Sequence, residues 1–315
     1  MVCVKIDTNQ RFAQSRVRKG VIMIYTIEND KFSVSVDTTG AQLQSMYSKE
    51  TKTEYIWQGD SKYWSGRAYN LFPFIGRMYK NLYGFQGKLY TSRSHGIARY
   101  YVFRLEDRTA TKLVMLLTDN ADTMQEYPFH FEFRVFFELK DNVLDVRYEV
   151  TNTDDKTLIC AFGGHPGINV PFGNGEFEDY YVEFSEKTCV QRQLLSDSDR
   201  FMAGKAIPYA LQDGTKMPLN HNLFNHDAVI LSNTSRYVRI KSDKESRYIA
   251  MNFEDFKYLG IWHPGDTDAP FICLEPWGAL PATDGIIDNL ENKADMTHVP
   301  PHKNAQVSYT VEIYE

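Results

Sequence analysis

"FHFEFRVFFELKDNVLDVRYEVTN", Phe129–Asn152, alternates apolar and polar residues through two runs joined by Asp141 and Asn142. In the first run Phe129, Phe131, Phe133, Val135, Phe137 and Leu139 fall on one face. His130, Glu132, Arg134, Glu138 and Lys140 fall on the other, with Phe136 the exception. A period of two is that of a half-buried strand. In the second run Leu144, Val146, Tyr148 and Val150 oppose Asp145, Arg147 and Glu149. Two such runs across a short Asp-Asn turn predict an antiparallel hairpin.

The pattern recurs in "MIYTIENDKFSVSVD", "YYVFRLED", "TKLVMLLTD", "YYVEFS", "YVRIKSD", "RYIAMNF" and "VSYTVEIYE". Helical periodicity is scarce, and short helices are expected only near Thr123–Tyr127 and Ile286–Lys293. Because strands do not alternate with helices, a doubly wound α/β fold is excluded. The expectation is an all-β chain, a large antiparallel β-sandwich.

The 315 residues are 43% hydrophobic and 14% aromatic, enough for a large core. A β-rich chain of this length often forms one domain, and residues 23–315 are read so. Residues 1–22 are basic and polar, lack the apolar core of a secretion signal, and are read as an extension outside the fold. The net charge of -6 argues against nucleic acid or an anionic membrane as partner. No apolar run is long enough to span a bilayer. Cys3, Cys160, Cys189 and Cys273 are scattered, with no CxxC. This fits a reduced, cytoplasmic protein without a disulfide framework or a zinc site.

Several chemistries are excluded by missing motifs. There is no P-loop, no GxGxxG after a strand and no GxSxG elbow. "HNLFNH", His221–His226, has the wrong spacing for a zinc helix. What remains is a set of polar residues among aromatics. In "CAFGGHPGINVPFG", Cys160–Gly173, glycines and a proline follow an apolar run. Glycine weakens a strand and proline interrupts one, so the strand is expected to end near Phe162 with His165 at its mouth. Glu275 ends the apolar "APFICLEPW", and a carboxylate is rarely buried without a partner. Arg77 follows "LFPFIG", and His95 precedes a glycine in "SRSHGIAR". Each alone has an ordinary structural reading: a hydrogen-bonded histidine, a strand leaving for water, a surface arginine, a core tryptophan.

In combination they are specific. "LFPFIGRM", "HGIAR", "YPFHFEF", "GGHPGINV" and "FICLEPW", in that order, resemble the aldose 1-epimerase (galactose mutarotase-like) family, most of all its LacX-like subgroup. The resemblance runs from about Ile24 to the C-terminus. It implies a β-supersandwich with a sugar site in a concave cleft, and an isomerase that interconverts the α and β anomers of an aldohexose such as galactose without metal or organic cofactor. It also implies His165 as general acid and Glu275 as general base, with Arg77 and His95 binding sugar. Asp227 of "FNHDAVIL" stands for the family's sugar-binding aspartate, although there the histidine precedes it. Trp277 is a candidate to cover the apolar face of the ring. The rival readings are a non-catalytic carbohydrate-binding protein on the same fold and a mutarotase for a sugar phosphate, the latter kept open by Arg67, Lys80 and Arg99. A glycoside hydrolase needs two flanking carboxylates, and only one stands in a comparable motif.

Overall fold

The computed structural model describes residues 22–197 and 200–315. The expected N-terminal extension, apart from Ile22, lies outside the described residues. The hairpin forms as read: Phe131–Lys140 and Val143–Asn152 pair antiparallel, Lys140 opposite Val143, and Asp141 takes the left-handed conformation (φ 51°) that a two-residue turn requires. Phe131, Phe133, Val135, Phe137 and Leu139 are all buried. Phe136, the exception in the pattern, lies half-exposed under the Arg147 guanidinium, 3.5 Å from its ring centroid.

This hairpin lies inside a nine-stranded antiparallel sheet that includes Lys112–Thr118, Tyr180–Phe184, Tyr237–Ser242, Glu245–Asn252 and Asn304–Tyr314. A seven-stranded sheet packs against it. Its spatial order is Met202–Pro208, Gln191–Leu195, Val229–Ser232, Tyr258–Trp262, Phe271–Trp277, Gly163–Asn169 and Ala68–Leu71. Between the sheets Phe72 stacks on Phe133 with centroids 4.2 Å apart. The buried Tyr148 hydroxyl donates to Asn70 Oδ1 at 2.8 Å, so one polar link crosses the core fully paired. The α-helix Thr123–Glu126 forms where expected. The second expected helix is only a 3-10 turn, Leu290–Asn292: Gly285 turns the chain at φ 78°, and the Asn289 side chain caps Glu291 N–H.

One expectation is corrected. The apolar strand does end just before Phe162, at Cys160, but His165 does not stand at its mouth. Leu158–Cys160 belongs to a separate two-stranded sheet, and a new strand, Gly163–Asn169, runs straight through the glycines, His165 and Pro166. Tertiary packing overrides the local preference. A Cβ on Gly164 would lie 2.8 Å from the Tyr309 ring, so this position needs glycine where the sheets meet. Pro166 is tolerated because its missing N–H faces a gap in the ladder. Gly167 N–H, one place on, donates to Arg67 O on the Ala68–Leu71 side. By alternation Pro166 faces the Phe271–Trp277 strand, where pairing stops after Gly163–Trp277 and resumes at Gly167–Cys273.

Candidate active site

That register has a consequence for His165. With Gly163 opposite Trp277 and Gly167 opposite Cys273, His165 lies opposite Glu275. The row continues on both sides: Tyr69 pairs with His165, Gly260 with Glu275, and Ile230 with Gly260. Residues of one such row project from the same face of a sheet. Here that face is the floor of a cleft of about 500 Å³, a size typical of small-molecule sites.

His165 and Glu275 are both buried, and His165 Nε2 is 3.3 Å from Glu275 Oε2. Four aromatic rings enclose the imidazole. Trp64 stacks on it at 4.9 Å, and Tyr69, His95 and Trp262 meet it edge-on at 5.9, 5.4 and 5.6 Å. Its Nδ1 is buried and has no hydrogen-bond partner among the described residues. Burial, reinforced by His95 and Arg99, drives the His165 pKa well below that of free imidazole. Burial and then the charge of Asp227 drive the Glu275 pKa well above the usual carboxylate range, while the Trp277 indole opposes this by donating to Oε2 at 3.2 Å. Both shifts favour the uncharged forms, a neutral imidazole and a protonated carboxyl.

Trp277 is itself buried. Its indole reaches back to Glu275, two residues earlier on the same face, because the neighbouring strand has no side chain at Gly260. A Cβ there would lie 3.0 Å from the indole.

The cleft's walls are loops tied to these strands. His95 N–H donates to Gly76 O at 2.6 Å, and Gly76 N–H donates to His95 Nδ1 at 3.2 Å. Since Nδ1 accepts, the neutral ring carries its proton on Nε2. Burial, then Arg99 and Arg77, lowers the His95 pKa to about 3, so it remains a neutral donor. Arg77 lies over the Phe201 ring at 5.0 Å. Asp227, at φ 74°, accepts from Ala228 N–H and lies 3.7 Å from Arg200 Nε.

The aldose 1-epimerase family model matches residues 23–290. The chain belongs to that family. It is 32% identical over 300 residues to Protein LacX, chromosomal, of Lactococcus lactis subsp. lactis, a match covering 92% of this chain and 99% of the relative. A galactose mutarotase-like protein from Lactobacillus casei superposes with a TM-score of 0.88 at 33% identity, over 93% of this chain and 100% of that one. A galactose mutarotase related enzyme from Lactobacillus acidophilus gives 0.87 at 32%, over 93% and 98%.

All six epimerase candidates named from the sequence, Arg77, His95, His165, Asp227, Glu275 and Trp277, line this one cleft. Of the three basic residues weighed for a sugar phosphate, Arg99 lines it, whereas Arg67 and Lys80 do not. Arg67 instead donates to Gln44 O and Gln58 Oε1. Tyr69, Leu195, Arg200, Ile230 and Pro281 also line the cleft and had no motif to mark them. The half-buried Trp64 and Trp262, ordinary core residues on sequence grounds, border the His165 ring. One buried donor set among the described residues could hold a metal ion: atoms of His165, Cys273 and Glu275 lie within 4.8 Å of one another. Burial holds both the thiol and the carboxyl in their protonated forms, which a metal would have to displace. No described helix is long and apolar enough to cross a membrane.

Proposed function

We propose that this family member is a mutarotase, an isomerase that opens and recloses the ring of an aldohexose, with Glu275 and His165 as its acid–base pair. The observation that carries the reading is their placement: opposite each other on the cleft floor, buried and 3.3 Å apart.

Ring opening needs two simultaneous proton transfers. The Glu275 carboxylate takes the C1 hydroxyl proton as C1–O5 breaks and the C1 carbonyl forms. The His165 imidazolium gives its proton to O5. Rotation about C1–C2 presents the other carbonyl face. On closure O5 attacks C1, His165 takes back its proton and Glu275 returns one to O1. The pair holds one proton throughout, so no step exchanges protons with solvent. The resting arrangement, with the proton on Glu275, is that of the open-chain stage. Transfer across the 3.3 Å contact prepares the pair for the cyclic sugar. Positioned acid–base catalysis of this kind contributes about 100- to 10,000-fold.

Arg77, the Nε2–H of His95 and Asp227 anchor hydroxyls, so that O1 and O5 meet both catalytic groups together. The Trp64 and Trp262 rings offer the apolar surface that a pyranose face packs on. Trp277 positions Glu275.

The test is one-dimensional saturation transfer between the α and β anomeric protons of aldoses at equilibrium, with and without the protein. Exchange faster than the buffer control, abolished in Glu275→Gln, supports the reading. Binding without faster exchange leaves the protein a carbohydrate-binding module.

A further inference from the structure

His95 holds its place in the cleft wall in a strained backbone conformation. It stands third in the four-residue turn Arg93–Gly96, which Gly96 N–H closes by donating to Arg93 O at 3.1 Å. Its φ is 62°, in the left-handed region that favours glycine or asparagine at this position of a turn. The far side of the turn is gripped twice. Gly76 exchanges two hydrogen bonds with His95, and Gly96 lies so close to Phe72 that a Cβ would fall 2.3 Å from its carbonyl oxygen. The near side rests on Arg93, the first residue of the turn. Its guanidinium meets Glu126 edge to edge, Nε to Oε2 at 2.6 Å and Nη2 to Oε1 at 2.5 Å. Tyr100 and Tyr101 lie against it, with ring centroids 4.2 and 5.4 Å from the guanidinium carbon. Glu126 is held as firmly. The Tyr101 hydroxyl donates to Oε1 at 3.2 Å, and the Tyr83 hydroxyl donates to its backbone carbonyl at 2.7 Å, at the end of the helix Thr123–Glu126. Neither Arg93 nor Glu126 lines the cleft.

A bidentate arginine–carboxylate contact fixes direction as well as distance. Exposed pairs contribute little, but both of these residues are half-buried and flanked by tyrosines. Arg93 is two residues from His95 within one turn, so a shift of its backbone moves the imidazole directly. Resting on the epimerase reading above, we propose that Arg93 and Glu126 form a positioning pair for His95. They hold the turn in its strained form, so that the Nε2–H of His95 is aimed at a sugar hydroxyl before the sugar arrives. Without the pair the turn relaxes toward ordinary φ, and the donor has to be ordered on binding, which weakens affinity. The loss falls on binding and not on chemistry, because the proton transfers belong to His165 and Glu275.

The experiment compares wild type, Arg93→Gln, Arg93→Lys and Glu126→Gln in anomeric exchange of galactose and glucose, and builds Arg93→Gln on His95→Asn as well. Arg134→Gln is the control for lost stability alone, since it breaks a second two-bond contact, with Glu106, on a residue that does not line the cleft. Arg93→Gln and Glu126→Gln should raise KM about tenfold with kcat within about twofold, as loss of a charge-assisted hydrogen bond implies. Arg93→Lys should fall between, because an ammonium cannot make the bidentate contact. In the His95→Asn background Arg93→Gln should add less than about twofold, its route to the sugar being gone. Full additivity in that background overturns the proposal and leaves the epimerase reading standing. So does an unchanged KM, or a rise matched by Arg134→Gln. Where Arg93→Gln does not fold, Glu126→Gln takes its place in the cycle. If no sugar exchanges faster, the epimerase reading fails and the His95 Cε1–H resonance, assigned by its loss in His95→Asn, decides. A line that is sharp in wild type and broadens or splits in Arg93→Gln, but not in Arg134→Gln, retains the positioning pair, and an unaltered line overturns it.

Discussion

His165 Nε2 meets Glu275 Oε2 at 3.3 Å, beside the one place where Pro166 interrupts the ladder between their strands. The two groups are paired by the sheet's register and not by a loop, so their separation is set by rigid backbone. Their shifted proton affinities have a common cause, burial, which disfavours both charges and leaves one proton between them.

Glu275→Gln keeps the shape and the acceptor for the Trp277 indole but removes the base. Turnover should fall at least about 100-fold, with sugar affinity little changed. Stability supplies an independent check. The folded-state carboxyl pKa is raised above its unfolded value, so its contribution is full below that unfolded value, near 4.5, and is lost as pH rises. Glutamine does not titrate. The melting temperature of the variant relative to wild type should therefore climb as pH rises above about 4.5. Turnover within a few-fold of wild type in the folded variant would remove Glu275 from the chemistry.

His165→Asn should lower turnover far more than it weakens binding, because the ring's proposed work is proton transfer to O5. Its bulk also packs on Trp64, so folding is checked by near-UV dichroism. An unaltered kcat with a raised KM would make His165 a hydroxyl-binding residue.

The pH profile of kcat/KM separates a buried pair from a solvated one. A solvated pair would hold one proton only between the ordinary values of 4.5 and 6.5, and activity would fall above 6.5. With the His165 pKa driven well below 6.5 and the Glu275 pKa well above 4.5, neither ordinary value marks a limit of the one-proton window. The profile should run flat through 6.5. Trp64→Ala, which uncovers the imidazole, should bring back an inflection near that value and raise KM. An inflection near 6.5 in the wild type would contradict the pairing.

Trp277→Phe retains the ring and deletes the indole donor to Glu275. A net hydrogen bond to a charged group supports a loss in kcat of about tenfold, with KM nearly unchanged. Because that bond lowers the Glu275 pKa, its removal should move the alkaline limb of the rate profile upward. A change in KM alone would make Trp277 a sugar platform instead of a positioning residue.

The alternating faces of Phe129–Asn152 determined the fold class, because a strand with one buried face must repeat every two residues. Five ordered motifs determined the family and hold five of the six candidates that line one cleft, Asp227 coming from a separate stretch. Local rules misjudged the His165 strand. Glycine and proline there answer to Tyr309 on the opposing sheet and to a gap in the adjoining ladder, partners far away in the chain. The same separation hid which cations matter. Arg67, Lys80 and Arg99 look alike along the chain, and only the packing of Arg99 on Tyr69 sets it in the cleft wall. Nor does the chain order show that Trp277 supports Glu275, since that contact depends on an empty position, Gly260, on the next strand. Periodicity is a property of neighbours in sequence, whereas charge pairing, burial and proton affinity are properties of neighbours in space.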